Sequence, residues 1–278
     1  MMKNNGFQSK SDFFFFNRWV LKVAGLWSPD SKNRRIQIIY KMYSIFVFIS
    51  VYCFYVISEF IALLYTYKNL NDFTKNLGIA LTSFMATEKI IFWHVNKNKI
   101  QVIVKRLEED QFKYDECEEF HPKNIFFDYK VSGLKITVSF LVFGYLTLFF
   151  AFSGPIVVTV VNIIKTNSSE DFLQPNFLPY YSWTPYKYDT PKMYLVALIL
   201  QGFSKFSTVQ SIVGLDCLII NIMNFIACHF ALIQQAFLKI TERKLNKKIY
   251  SQNLTPSEHQ IMEKEMKEMC KHIQKLLE

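Results

Sequence analysis

Cysteine and histidine are scarce in this 278-residue chain, with five of each, and neither falls in a pattern that carries chemistry. No pair among Cys53, Cys117, Cys217, Cys228 and Cys270 has metal-ligand spacing, and no structural zinc site is expected. His94, His121, His229, His259 and His272 are dispersed, without a His-Glu-x-x-His motif. There is no phosphate-cradling glycine loop and no Gly-x-Ser-x-Gly nucleophile turn. These absences argue against an enzyme and leave no residue set for a cofactor or metal. A cleavable signal peptide is also missing, because Phe13 to Phe16 is too short an apolar stretch and runs into Asn17 and Arg18.

Charge is sparse where apolar residues gather. Hydrophobic residues make up 51% of the chain and aromatics 17%, with 28 phenylalanines, which is too apolar for an ordinary soluble protein of this size. Met42 to Ser58, Ile136 to Ile164 and Cys217 to Leu238 carry no charge, and Asn76 to Thr87 is a shorter run of the same kind. As a helix, 136–164 extends about 43 Å, more than the roughly 30 Å hydrocarbon core of a bilayer. The chain therefore reads as an all-α, polytopic transmembrane helical bundle. Spans are expected at about 38–63, 72–95, 136–164 and 193–224. Glu88 and Lys89 interrupt the second, so that segment must turn its charges toward other helices or end early.

The basic residues set the orientation. Eight Lys and Arg run from Lys3 to Lys41, eight from Lys97 to Lys135 and nine from Lys239 to Lys275, making 25 on one side. The opposite loops hold Lys68, Lys75, Lys165, Lys187 and Lys192, so both ends are expected in the cytoplasm. This asymmetry also explains the net charge of +9 without nucleic acid. Three regions follow: a cytoplasmic segment 1–37, a transmembrane domain 38–238 with cytoplasmic extensions, and a cytoplasmic amphipathic helix from 239–278.

Local chemistry marks several positions. Four of the eight prolines, Pro175, Pro179, Pro185 and Pro191, fall in the loop 165–192 among Tyr180, Tyr181, Trp183, Tyr186 and Tyr188, giving a stiff aromatic loop. Asn167 opens a glycosylation sequon on the outer side. Pro155, after Gly154, removes the partner of the Ala151 carbonyl and is expected to kink the third span. Glu59 is read as an interfacial residue that snorkels outward. Lys205 and Asp216 lie about 16 Å apart along one helix, too far to pair. Either they line a polar cavity with Gln201, Ser204 and Gln210, or each pairs with another helix. Thr255, Pro256 and Glu258 form a helix start, followed by an apolar stripe of Met262, Met266, Met269, Ile273 and Leu276. That stripe has no evident partner, which points to missing residues or a second subunit. The pattern runs to Glu278 without a C-cap and points to a C-terminally truncated fragment.

The order of these features resembles the insect odorant receptors, ligand-gated channel subunits unrelated to G-protein-coupled receptors. Gly25-Leu26-Trp27-Ser28-Pro29 is similar to that family's Gly-Leu-Trp-Pro lead-in. Leu178-Pro179-Tyr180-Tyr181-Ser182-Trp183-Thr184-Pro185-Tyr186, with Pro191 and Tyr194, resembles its Pro-rich second outer loop. The resemblance implies a seven-helix subunit, of which four spans are present, that binds a small volatile organic ligand in the outer half of the membrane. By position, Leu81, Phe84 and Met85, Ser153, Gly154 and Val157, and Leu198, Gln201 and Lys205 would line the pocket, with Trp183 in its lid. It further implies a co-receptor partner in a hetero-oligomer, a tetramer, in the lipid of sensory-neuron plasma membranes. The pore-lining seventh helix of the family has no counterpart before Glu278. A gustatory receptor of the same superfamily and a four-helix transporter or accessory subunit are the competing readings.

Overall fold

The structure is a computed structural model that describes residues 13–29, 31, 33–109, 121–166, 178–188, 190–249 and 255–277. The sequon at Asn167 lies outside these residues. All regular structure among them is helical. In chain order the helices are α1 (Phe15–Val23), α2 (Arg34–Val47), a π-helical stretch (Phe48–Tyr55), α3 (Val56–Thr66), α4 (Leu70–Glu109), α5 (Pro122–Thr166), α6 (Pro191–Ile249) and α7 (Pro256–Leu277).

Among the described residues, three helical stretches are long and apolar enough to cross a membrane: Arg34–Thr66, Pro122–Val161 and Pro191–Glu242. Only 6% of the apolar window in the second is buried inside the chain, against 50% in each of the others. Phe140, Phe143, Phe149 and Phe150 on α5 stand exposed, which hydrocarbon tolerates and water does not. The expected span at 72–95 forms the first part of α4, a single 40-residue helix. Asp72, Lys75, Glu88 and Lys89 dilute its apolar character, so α4 is not one of those three stretches.

The described chain forms two compact units, a larger one of residues 15–100 and 137–217 and a smaller one of residues 1–14, 101–136 and 218–278. In the larger unit, α1 ends in a left-handed glycine. Gly25 has φ of +78°, its N–H donates to the Lys22 carbonyl (3.1 Å), and the Leu26 N–H donates to Leu21 (2.9 Å). These two bonds make a Schellman cap, for which only a residue without Cβ is unstrained. Helix α2 completes it: Tyr40, Tyr43 and Ser44 donate to the carbonyls of Lys22, Val23 and Gly25. Substituting Gly25→Ala is expected to cost about 1–2 kcal/mol through the left-handed backbone alone, since the new methyl would meet Ser44 Cα at a tolerable 3.4 Å. Thermal unfolding in detergent measures it, and an unchanged midpoint would show that the cap is not left-handed.

The motif around Gly25 thus has a packing role. The Leu26 carbonyl accepts from the buried Trp93 indole (3.1 Å), and the rings of Trp27 and Trp93 pack at 5.6 Å. Helix α1 seats Val20 and Leu21 close to Gly214 of α6, where any Cβ would stand 2.8 Å from Leu21.

In the smaller unit, α7 packs against the end of α6. Met269 is buried in a cluster with Cys228, Leu232, Ala236 and Ile240, with Met262 at its edge. This overturns the expectation that the stripe lacks a partner within the chain. The helical face turned inward carries Met262, Met269 and His272, while Met266 and Ile273 remain exposed. Buried His272 meets His229 of α6, Nε2 to Nδ1, at 2.9 Å, with Phe225 edge-on to the His229 ring. Two sequence-distant histidines are thereby joined by a hydrogen bond, which requires one ring nitrogen to carry a proton and the other to accept it.

Candidate functional site

Lys205 and Asp216, the two charges of α6 whose pairing the sequence leaves open, each have a specific partner on another helix. Lys205 of α6 and Glu59 of α3 form an ion pair, and the Lys205 ammonium also donates to Ser83 of α4 at 2.9 Å. Glu59 is completely buried, so the interfacial reading of that residue is overturned. The physical reason is the low dielectric of the helix interior, where an unpaired charge costs several kcal/mol and finds the opposite charge instead. The rings of Tyr180 and Tyr55 lie 4.9 and 5.2 Å from Lys205 Nζ and complete a cage of two acceptors and two aromatic faces. Asp216, three turns further along α6, takes both its hydrogen bonds from Lys89 of α4 at 2.8 Å. Of the two charges that interrupt the second expected span, Lys89 is thus turned toward another helix, and Glu88 is exposed.

Around the caged ammonium runs a band of polar groups. Gln201 is buried and clamps the loop, donating to the Tyr180 carbonyl at 2.8 Å and to Ser182 Oγ at 2.7 Å. The Tyr52 hydroxyl meets Ser211 Oγ at 2.5 Å. Ser204 Oγ, Gln210 Oε1 and both amide atoms of Asn76 are buried without a hydrogen-bond partner among the described residues. Such groups are rare in native interiors and mark a place where polar contacts are left for something else.

The loop 178–188 is built down onto this band. The Trp183 N–H donates to the Ser58 carbonyl at 3.0 Å, and Leu178 packs with Tyr194 and Ala197 of α6 beside Tyr186 and Tyr188. Between this loop and the α3–α4 turn lies a cavity of about 580 Å³. Its wall carries Trp183, Tyr180, Tyr181 and Tyr188 from the loop and Tyr65 and Asp72 from the helices. Tyr181 donates to Asp72 Oδ1 at 3.0 Å and the Asn69 amide to Oδ2 at 2.7 Å. Burial first, and then Asp72, push the Tyr181 phenol above its ordinary value, so that it stays protonated and donates.

The ten residues expected from position divide sharply. Gln201 and Lys205 are buried in the polar band, and Trp183 stands in the cavity wall at 38% exposure. Leu198 is half-buried, whereas Leu81, Phe84, Met85, Gly154 and Val157 are exposed on α4 and α5. The Phe84 ring packs edge-on against Phe60, and Ser153 bonds its own helix at the Phe150 carbonyl (3.1 Å). The helix α5 continues past Pro155 to Thr166. Sequence reasoning missed Glu59, Ser83, Tyr180 and Tyr55 as one constellation. The available signal was a second intramembrane charge of opposite sign to Lys205.

A family model described as 7tm odorant receptor matches residues 69–278. Among solved structures, the insect olfactory receptor OR5 from Machilis hrabei matches with a TM-score of 0.58 and 14% identity, over 80% of this chain and 56% of that one. The same receptor in complex with eugenol matches with a TM-score of 0.55 and 16% identity, over the same shares. At these identities the likeness is one of fold, and the chain spans little more than half of that receptor's length. No curated protein sequence matches the chain.

Proposed function

The chain belongs to the 7tm odorant receptor family, and from that premise we propose that it acts as an odorant receptor subunit. It binds a small volatile organic ligand inside the membrane and gates a cation channel with a co-receptor subunit, in a hetero-tetramer of the sensory-neuron plasma membrane. The observation that carries this reading is the family match over 69–278, and the buried polar band around Lys205 supports it. The receptor of similar fold from Machilis hrabei was solved in complex with eugenol, a small organic molecule, and that is the ligand class taken over here.

In this reading residues 1–37 are cytoplasmic, 38–238 form the transmembrane domain and 239–278 belong to a cytoplasmic anchor. The 25-to-five distribution of basic residues supports that topology. The Lys89–Asp216 pair supports α4 as a fourth span, because Lys89 then enters the membrane with its charge paired. Apolar contacts supply most of the affinity, from Leu81, Phe84, Met85 and Val157, with Ser153, Gly154, Leu198, Gln201 and Lys205 nearby and Trp183 in the lid. One or two polar groups set the preference.

The test is co-expression of the full-length receptor with the co-receptor and recording of currents over an odorant panel. An odorant-evoked current is expected, and none despite surface expression of both subunits would remove the receptor-subunit reading. Phe84→Ala is expected to weaken the best agonist by about tenfold, the equivalent of losing part of an aromatic contact. Unchanged half-maximal concentrations for Phe84→Ala and Ser153→Ala alike would sink the pocket placement while leaving the receptor reading intact.

A further inference from the structure

The cavity under the loop 178–188 carries two charges of different character. Asp72 is held in place by Tyr181 and Asn69, which occupy one lone pair on each oxygen and leave the others open. Lys68 lines the same cavity from an exposed position, and no ion pair joins it to Asp72 among the described residues. A lysine on a flexible four-carbon stem swings into water at little cost, whereas the carboxylate cannot move. The charge fixed in the cavity wall is therefore that of Asp72. The remaining wall is rich in aromatic faces, Trp183, Tyr180, Tyr188 and Tyr65. A fixed carboxylate among electron-rich rings is the chemistry that recognises an organic cation, and a neutral alcohol of the same shape gains far less from it.

We propose that this cavity is a second ligand site, outside the intramembrane pocket and sharing only the lid residue Trp183 with it, which takes a small organic ammonium such as a protonated arylalkylamine. Asp72 receives the N–H donors and the Tyr and Trp faces surround the alkyl and aryl portions. The loop is anchored for this task, since Gln201 clamps Tyr180 and Ser182, and the Ser58 carbonyl holds the Trp183 N–H. The volume of about 580 Å³ admits a molecule of that size with room for water.

Binding is read on Trp183 itself, so the result does not depend on whether the receptor passes current. The full-length receptor in lipid nanodiscs is titrated at neutral pH with 2-phenylethylamine and with 2-phenylethanol. The difference in tryptophan emission between the native chain and Trp183→Phe isolates the signal. The amine is expected to bind saturably, about tenfold more tightly than the alcohol. Asp72→Asn should weaken the amine by about tenfold and leave the alcohol nearly unchanged, and Lys68→Gln should tighten the amine a few-fold. Opposite shifts from two neighbouring substitutions cannot come from general misfolding. Equal affinity for amine and alcohol, a Lys68→Gln variant that binds the amine no more tightly, or the lack of any Trp183-dependent change would each overturn the proposal.

Discussion

Replacing Glu59 by alanine is expected to destabilise the protein by about 3–5 kcal/mol, because it strands the Lys205 ammonium in the helix interior with only Ser83 and two aromatic rings. The loss should appear as a large fall in the melting temperature of the detergent-solubilised chain and in surface expression. The pair is not expected to be worth that much in itself. Removing both charges together, as Glu59→Gln with Lys205→Met, should recover most of the stability, since the cost of burying each ion disappears with it. A Glu59→Ala variant that melts like the native chain would mean that Lys205 has another escape and that the cage is not closed. The result bears on function as well, because Tyr180 of the cage also forms part of the cavity wall. A subunit that tolerates loss of the charge pair in stability but not in ligand response would place the pair in recognition.

Trp93→Ala is expected to be the second large effect, about 3–5 kcal/mol for a fully buried indole. It removes the ring beneath Trp27 and the donor to the Leu26 carbonyl in one step. Trp93→Phe separates the two contributions, since the ring contact is partly kept and only the buried carbonyl loses its partner, for about 1–3 kcal/mol. Chemical or thermal unfolding in detergent distinguishes them. If both variants melt with the native chain, the Gly25-Leu26-Trp27 segment is not docked as described.

Much of the helical plan was legible from residue order. Charge-free apolar stretches can only be satisfied by helices in hydrocarbon, so 38–63 and 193–224 each fall within one apolar helical stretch, and 136–164 lies within α5 and overlaps the stretch Pro122–Val161. The start of α7 at Pro256 follows from local backbone chemistry that needs no partner. The motif around Gly25 was visible too, although its physical content, a left-handed cap that presents a carbonyl to Trp93, was not.

The rotation of α4, which carries Leu81, Phe84 and Met85, was not legible in the sequence. On α4 the buried face carries Asn76, Ala80, Ser83, Ala86 and Ile90, at spacings of three and four residues, and the three apolar candidates lie off it. In a soluble helix the apolar face turns inward, but lipid removes that rule, and small or polar residues become the ones that pack. Hydropathy therefore reports that α4 is helical and partly apolar without reporting how it is rotated. The stripe on α7 was displaced in the same way, with Met269 and His272 inward and Met266 and Ile273 outward.

Sequence alone determined that this chain is a set of long apolar helices with its basic residues gathered between charge-free stretches, because hydropathy and charge count are sums over neighbours along the chain. Tertiary structure alone decided that Glu59 meets Lys205, Asp216 meets Lys89 and His229 meets His272. Those pairings depend on the rotation of each helix about its axis and on its offset along its neighbour. Neither quantity is local, and a buried charge or donor is satisfied by whichever group the packing brings within about 3 Å.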